Sequence, residues 1–138
     1  MNSVHHCRLM NFPRIENRAG TITPLEALAT VPFPIARLFY IYDVPGGASR
    51  GGHAHRDTEQ LIVSVMSSFD LVLDYGTERK TITLNRAYYG LYVPKMIWAE
   101  LVNFSSGAVC LVLASDLYSE ADYFRTYDDF LRCRREQP

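Results

Sequence analysis

Two histidines, His53 and His55, stand two residues apart in the run Arg50-Gly51-Gly52-His53-Ala54-His55, and Glu59 follows four positions later. In an extended chain, side chains at i and i+2 project to the same face, so both imidazoles can address one bound molecule. Imidazole titrates near ~6.5, which lets one ring accept a proton and the other return it at neutral pH. That chemistry suits proton abstraction beside a carbonyl. Glu59 can orient one imidazole through its second ring nitrogen, the alternative being a surface carboxylate after a loop. Upstream, Arg37-Leu38-Phe39-Tyr40-Ile41-Tyr42-Asp43 alternates so that Tyr40 and Tyr42 share one face and Arg37 takes the other. Tyrosine hydroxyls inside a cavity donate to a developing oxyanion, which makes Tyr40 a catalytic candidate and Tyr42 a substrate-binding one, against ordinary aromatic packing. Arg37 and Arg50 are candidates for holding a substrate anion, and Arg50, beside two glycines, is placed for bidentate contact with a diphosphate. Trp98 and Tyr92 could stack a base, or simply pack in a core.

The elements that must position these residues read as all-β. Short β-branched and aromatic runs, separated by turn residues, recur roughly every 8–12 residues, as in a sandwich or barrel. Strands are expected at 6–11, 21–25, 37–43, 60–65, 69–74, 80–84, 90–93, 98–104 and 108–114. Asp74-Tyr75-Gly76 and Ser105-Ser106-Gly107 supply hairpin chemistry. Residues 26–34, with Pro32 and Pro34, read as a loop or one short helical turn. The one helix candidate is 126–136, where Thr126 and Asp129 resemble a capping box and an arginine-rich last turn matches the helix dipole.

With 138 residues, 48% of them hydrophobic and 21% charged, the chain suits a single domain spanning 1–138 with a real core. A net charge of −1 argues against a nucleic-acid or membrane surface, either of which needs a concentrated basic face. Cys7, Cys110 and Cys133 are odd in number and widely spaced, which fits free thiols in a reducing compartment. No apolar leader opens the sequence, and no run approaches the ~20 residues that span a bilayer, so a cytoplasmic protein is expected.

Gly47-x5-His53-x-His55-x3-Glu59 resembles the first half of the cupin metal motif, although Met66 occupies a position where that motif carries glycine. The second half is disabled: Pro94 and Asn103 are in register, but Ala99 stands where the ligand histidine would be. Alanine supplies no donor atom, so no metal and no cofactor are expected.

A wider resemblance covers most of the chain. Phe39-Tyr40-Ile41-Tyr42-Asp43, Arg50-Gly51-Gly52-His53-Ala54-His55, Gly90-Leu91-Tyr92-Val93-Pro94, Leu111-Val112-Leu113-Ala114-Ser115-Asp116 and Asp122-Tyr123-Phe124-Arg125-x-Tyr127-Asp128-x-Phe130 resemble the nucleotide-sugar 3,4-ketoisomerases. The resemblance implies a cupin-type jelly-roll β-sandwich with a short C-terminal helix. It also implies a metal-independent isomerase that moves the ketone of dTDP-4-dehydro-6-deoxyglucose from C4 to C3 through an enediol, toward 3-amino-3,6-dideoxysugars of lipopolysaccharide O-antigen or S-layer glycans. His53, as base, His55 and Tyr40 would be catalytic; Arg50, Tyr42, Arg37, Arg18, Trp98 and Glu59 would bind substrate. A homodimer with an exchanged N-terminal strand is implied as well. One departure is local: where such proteins carry Asp-x-Arg-Gly, this chain has Asn17-Arg18-Ala19-Gly20, with the arginine shifted by one position. A nucleotide-sugar 3- or 3,5-epimerase is the nearest alternative, against which His55 argues; a non-enzymatic sugar-binding cupin is the other.

Overall fold

In the run Phe69-Asp-Leu-Val-Leu-Asp74, every second residue is apolar, and Phe69, Leu71 and Leu73 are fully buried on one face. Gln60–Met66 is apolar at successive positions instead, as a strand covered on both faces must be. The computed structural model describes residues 3–136 and resolves these patterns into twelve strands and one helix among the described residues. The strands are β1 (Arg8–Asn11), β2 (Ile15–Asn17), β3 (Gly20–Ile22), β4 (Arg37–Ile41), β5 (Arg50–His55), β6 (Gln60–Met66), β7 (Phe69–Asp74), β8 (Arg79–Leu84), β9 (Tyr89–Val93), β10 (Trp98–Val102), β11 (Val109–Ala114) and β12 (Tyr123–Phe124), followed by α1 (Tyr127–Glu136).

One five-stranded sheet runs β1-β9-β6-β11-β4 and the other β12-β5-β10-β7-β8, with β2-β3 as a separate hairpin. Within β4 to β11 each early strand pairs antiparallel with its late counterpart: β4 with β11, β5 with β10, β6 with β9 and β7 with β8. A long hairpin rolled up in this way is a jelly roll. It explains one departure from the sequence expectation. Gly76 (φ 107°) does close the β7–β8 hairpin, whereas Gly107 (φ 75°) lies in an arch that carries the chain from one sheet to the other. The turn after β6 uses Ser67 (φ 60°), next to the Met66 that replaces the motif's glycine, and the Ser64 hydroxyl donates to the Ser67 carbonyl.

Three apolar layers hold the sandwich. The central one contains Ile62, Leu91 and Val112 from the first sheet and Phe69, Leu71 and Leu73 from the second. Val31 and Phe33, in the irregular segment 25–35, cover Leu61, Val63 and Leu113 on the outer face of the first sheet. Helix α1 covers the outer face of the second sheet, seating Phe130 against Ala54, Trp98 and Phe124. Thr126 caps that helix by accepting from the Asp129 backbone N–H. Its basic end is more than a solvated terminus, because Arg134 donates to the Met96 carbonyl.

The strand that carries the histidines, β5, is the main element absent from the sequence expectation. It has no β-branched residue, and a glycine pair interrupts it. Its glycines and alanine are nevertheless what the packing requires. A Cβ on Gly52 would stand 2.4 Å from the Trp98 indole nitrogen, so only glycine lets β5 lie under that ring. The N-terminal strand pairs with β9, Arg8 opposite Tyr92 and Asn11 opposite Tyr89. His5 and His6 close a short 3-10 turn ahead of it.

Candidate active site

Facing residues of paired strands share a side of the sheet, and the β5–β10 register pairs Ala99 with His53 and Leu101 with Arg50. Ala99 and Leu101 pack on the central layer, so His53 and Arg50 also point between the sheets. Three positions separate them in sequence, which in a regular strand would put them on opposite faces; a bulge between the two paired positions turns both inward. His55 follows His53 on the inner face, while Gly52 and Ala54 face outward beneath Trp98 and α1.

Asp122 fixes the orientation of His55. Its Oδ2 accepts from His55 Nδ1 at 2.7 Å and from the Thr58 hydroxyl at 2.6 Å, and its Oδ1 accepts from the Asp57 backbone N–H at 2.7 Å. Burial would raise this carboxyl, but the three hydrogen bonds hold it below the ordinary carboxylate range. An ionised carboxylate only accepts, so the proton sits on His55 Nδ1 and Nε2 is left bare. Nε2 is buried and has no hydrogen-bond partner among the described residues. A buried acceptor without a partner is costly in a finished fold and is the expected state of an atom that meets a substrate.

The two imidazoles stand edge to face, centroids 5.1 Å apart, and the Tyr123 ring lies 4.4 Å from His55 and 5.3 Å from His53. Burial, then His55, Arg125, Arg37 and Arg50, depress His53 to about 4, so it is neutral at pH 7 and able to take a proton. Burial also lowers His55, opposed by the hydrogen bond and charge of Asp122. Arg37 leaves edge strand β4 on its inner face, alongside Phe39, and its buried Nε likewise has no partner among the described residues. The site is therefore a cationic mouth between the β4 edge of one sheet and the β12 edge of the other, with two neutral imidazoles on its floor.

Several expected site residues lie elsewhere. Tyr40 projects from the outer face of β4 and Tyr42 follows just beyond the strand; they are 59% and 60% exposed, so strand alternation turns Tyr40 away from the side that Arg37 shares with the histidines. Trp98 is buried against Tyr127 and Phe130, on the reverse side of β10 from Ala99, and therefore packs rather than binds. Glu59 accepts from the Tyr92 hydroxyl at 2.5 Å in a separate cleft with Arg8 and Lys95; Asp122 takes the role expected of Glu59. Arg18 sits in the β2–β3 turn, where Asn17 Oδ1 accepts from the Ala19 backbone N–H. A turn, not the opposite face of a strand, receives the shifted arginine, and no hydrogen bond or ion pair joins it to the histidines.

Asp122, Thr58, Tyr123 and Arg125 were not singled out as site residues from the sequence. Asp122 and Tyr123 belong to the tail motif, but nothing local signals that this tail pairs with β5, Tyr123 opposite His55 and Phe124 opposite Ala54. As to a metal, Ala99 stands beside His53, Glu59 is turned away, and Asp122 is engaged with Nδ1. Among the described residues no group of three or more His, Cys, Asp or Glu side chains is arranged to hold an ion, so the donors do not fit one.

Comparison with known proteins points to one family. The model of the family FdtA (WxcM-like, C-terminal) matches residues 5–135. The chain is 42% identical over 123 residues to the TDP-4-oxo-6-deoxy-alpha-D-glucose-3,4-oxoisomerase of Aneurinibacillus thermoaerophilus, covering 89% of this chain and 88% of that one. It is similar to the crystal structure of a 3,4-ketoisomerase from Helicobacter canadensis, with TM-score 0.91, 43% identity and coverage of 94% and 97%. It also resembles a histidine-to-asparagine variant of the 3,4-ketoisomerase QdtA from Thermoanaerobacterium thermosaccharolyticum, solved with TDP-4-keto-6-deoxyglucose. There the TM-score is 0.92 and the identity 34%, with 95% of each chain covered.

The carboxylate's hold on His55 is directly testable. Asp122→Asn presents an amide that donates to Nδ1, so the proton moves to Nε2 and the bare acceptor is lost. Nitrogen-15 NMR is expected to show the reversed tautomer in a folded protein, with turnover down about 100-fold or more. An unchanged tautomer with unchanged turnover would remove Asp122 from the site.

Proposed function

This chain belongs to the FdtA (WxcM-like, C-terminal) family, and from that premise we propose that it is a dTDP-sugar 3,4-ketoisomerase, acting on dTDP-4-dehydro-6-deoxyglucose. The observation that carries the chemistry is the pair of inward imidazoles, both neutral, one with a bare buried nitrogen. The C4 ketone acidifies the C3 hydrogen; a histidine takes that proton, C3=C4 forms, and O4 receives the charge. The protonated ring then returns that proton to C4, and the C3 hydroxyl gives up its own through the partner imidazole's bare nitrogen to O4, so that C3=O forms and O4 ends as a hydroxyl. His53, the less buried ring, is assigned as the base, and His55, steadied by Asp122, as its partner. The oxyanion role expected of Tyr40 passes to groups inside the mouth, of which Arg37, with its unpartnered Nε, is the first. Arg50, turned inward by the bulge, is suited to the diphosphate. An epimerase would need the same first proton transfer, but the 3,4-shift also needs an acceptor for the C3 hydroxyl proton, which the bare Nε2 of His55 suits.

The reaction is proposed to need no metal, to belong to the synthesis of 3-amino-3,6-dideoxysugars for surface glycans, and to take place in the cytoplasm. Cys7 and Cys110, free and pushed up to about 12 by burial, suit a reducing compartment. No helix of the described residues is long and apolar enough to cross a membrane.

The working unit is proposed to be a homodimer. Support comes from Leu38 and Tyr40 on the outer face of edge strand β4 and Tyr42 just beyond it, all more than half exposed. Strand exchange would reproduce the β1–β9 register between two copies, since a swapped element keeps the contacts it makes in the closed chain. Light scattering at micromolar concentration is expected to give twice the chain mass; a fully active monomer would contradict it.

Incubation of chelator-treated protein with dTDP-4-dehydro-6-deoxyglucose is expected to give the 3-keto isomer by NMR. Recovery of unchanged substrate would overturn the ketoisomerase reading, and activity restored by one particular divalent ion would overturn the metal-free mechanism.

A further inference from the structure

Tyr123 occupies the short edge strand β12 opposite His55, and its ring packs against both imidazoles, 4.4 Å from His55 and 5.3 Å from His53. The guanidinium of Arg125 lies over the same ring, 3.9 Å from its centroid. Arg125 is itself held by Glu120, its Nε and Nη2 each donating to a carboxylate oxygen at 2.8 Å. The Tyr118 hydroxyl donates to the same carboxylate at 2.6 Å, and its ring sits 5.7 Å from Tyr123. Glu120 thus fixes an arginine, the arginine fixes an aromatic plate, and the plate abuts the histidines. No hydrogen bond is made by the Tyr123 hydroxyl among those of the described residues. Its ring is therefore what the neighbourhood uses.

We propose that Tyr123 is a positioning residue of the ketoisomerase, an aromatic plate clamped by the Glu120–Arg125 pair that holds His53 and His55 in their perpendicular arrangement. Two imidazoles that serve adjacent carbons must keep their nitrogens within a fraction of an ångström, and displacement of about 1 Å costs on the order of 100-fold. Asp122 fixes one nitrogen of His55, but no hydrogen bond among the described residues fixes the His53 ring. Ring packing by Tyr123 is the restraint the two rings share. The clamp has an electrical consequence, since Arg125 is one of the cations that disfavour protonated His53. The other groups facing His53 are His55 and Arg50 from β5, Arg37 from β4 and Tyr123 from β12, with Asp122 beyond His55.

This inference rests on the ketoisomerase reading, and the test separates the two. Tyr123→Phe keeps the plate and is expected to keep kcat within about threefold. Tyr123→Leu removes it and is expected to lower kcat about 10- to 100-fold with KM within about threefold. It should also shift the ring Hε1 NMR signals of both histidines in the substrate-free protein, a readout independent of activity. Arg125→Gln, which keeps the plate but releases the clamp, is expected to raise the midpoint of His53 protonation from about 4. Loss of kcat by Tyr123→Phe as deep as by Tyr123→Leu would make the hydroxyl the acting group and overturn the proposal. Unmoved histidine signals in Tyr123→Leu, or an unmoved midpoint in Arg125→Gln, would overturn it as well. Absence of ketoisomerase activity in the unaltered protein would refute the activity alone, leaving the histidine signals to decide the clamp.

Discussion

The hydrogen bond from His55 to Asp122 ties β5 to the segment that enters β12, and the rest of the site depends on it. It links residues 67 positions apart and is reinforced by Thr58 and the Asp57 backbone, so the loop after β5, the approach to β12 and the imidazole form one unit. The backbone follows the same seam, with the Arg56 N–H donating to the Asp122 carbonyl at 2.8 Å. Without that seam β12 would not lie beside β5, and neither Tyr123 nor Arg125 would reach the histidines. A half-buried carboxylate is tolerable only when its lone pairs are answered, and here three donors answer them. The same carboxylate leaves one nitrogen of His55 unanswered, which is a cost in folding and an asset in proton transfer.

The jelly roll supplies the rigidity that such a pair needs. Its inner faces are apolar over most of their area, and the histidines lie where that layer gives out, at the mouth between β4 and β12. On the reverse side of β5, the residues are small enough for Trp98 and α1 to press on the strand. The Met96 backbone N–H donates to the His55 carbonyl while Arg134 holds the Met96 carbonyl, so the C-terminal helix is coupled to the strand it covers. Burial, and after it the cations at the mouth, keep both imidazoles neutral. An anionic diphosphate drawn to those cations would relieve part of that suppression as it binds, because opposite charge favours the protonated ring.

Much of the fold was legible because burial leaves a periodic trace. Phe69–Asp74 matches the expected strand at both ends, and most of the others differ by one or two residues where a strand gives way to a turn. The histidine pair was legible too, since a two-residue spacing in extended chain forces a shared face. What could not be read was long-range pairing and the sense of a face. Alternation grouped Tyr40 with Tyr42 and set Arg37 apart, but which set looks inward is decided by β11, whose inward residues meet Phe39 and Ile41. Asp122 and Glu59 are both carboxylates; only the return of the tail to β5 chooses between them. A bulge, invisible in the letters, brings Arg50 to the side of His53.

Proton transfer by both imidazoles is the claim on which the rest turns, and turnover of the single variants His53→Asn and His55→Asn tests it most directly. Asparagine keeps much of the shape and hydrogen-bonding capacity of histidine without its proton chemistry. Each variant is expected to fold and to lose at least ~100-fold in ketoisomerase turnover, the scale of a removed acid or base. Near-unaltered turnover in both folded variants would contradict proton transfer by this pair.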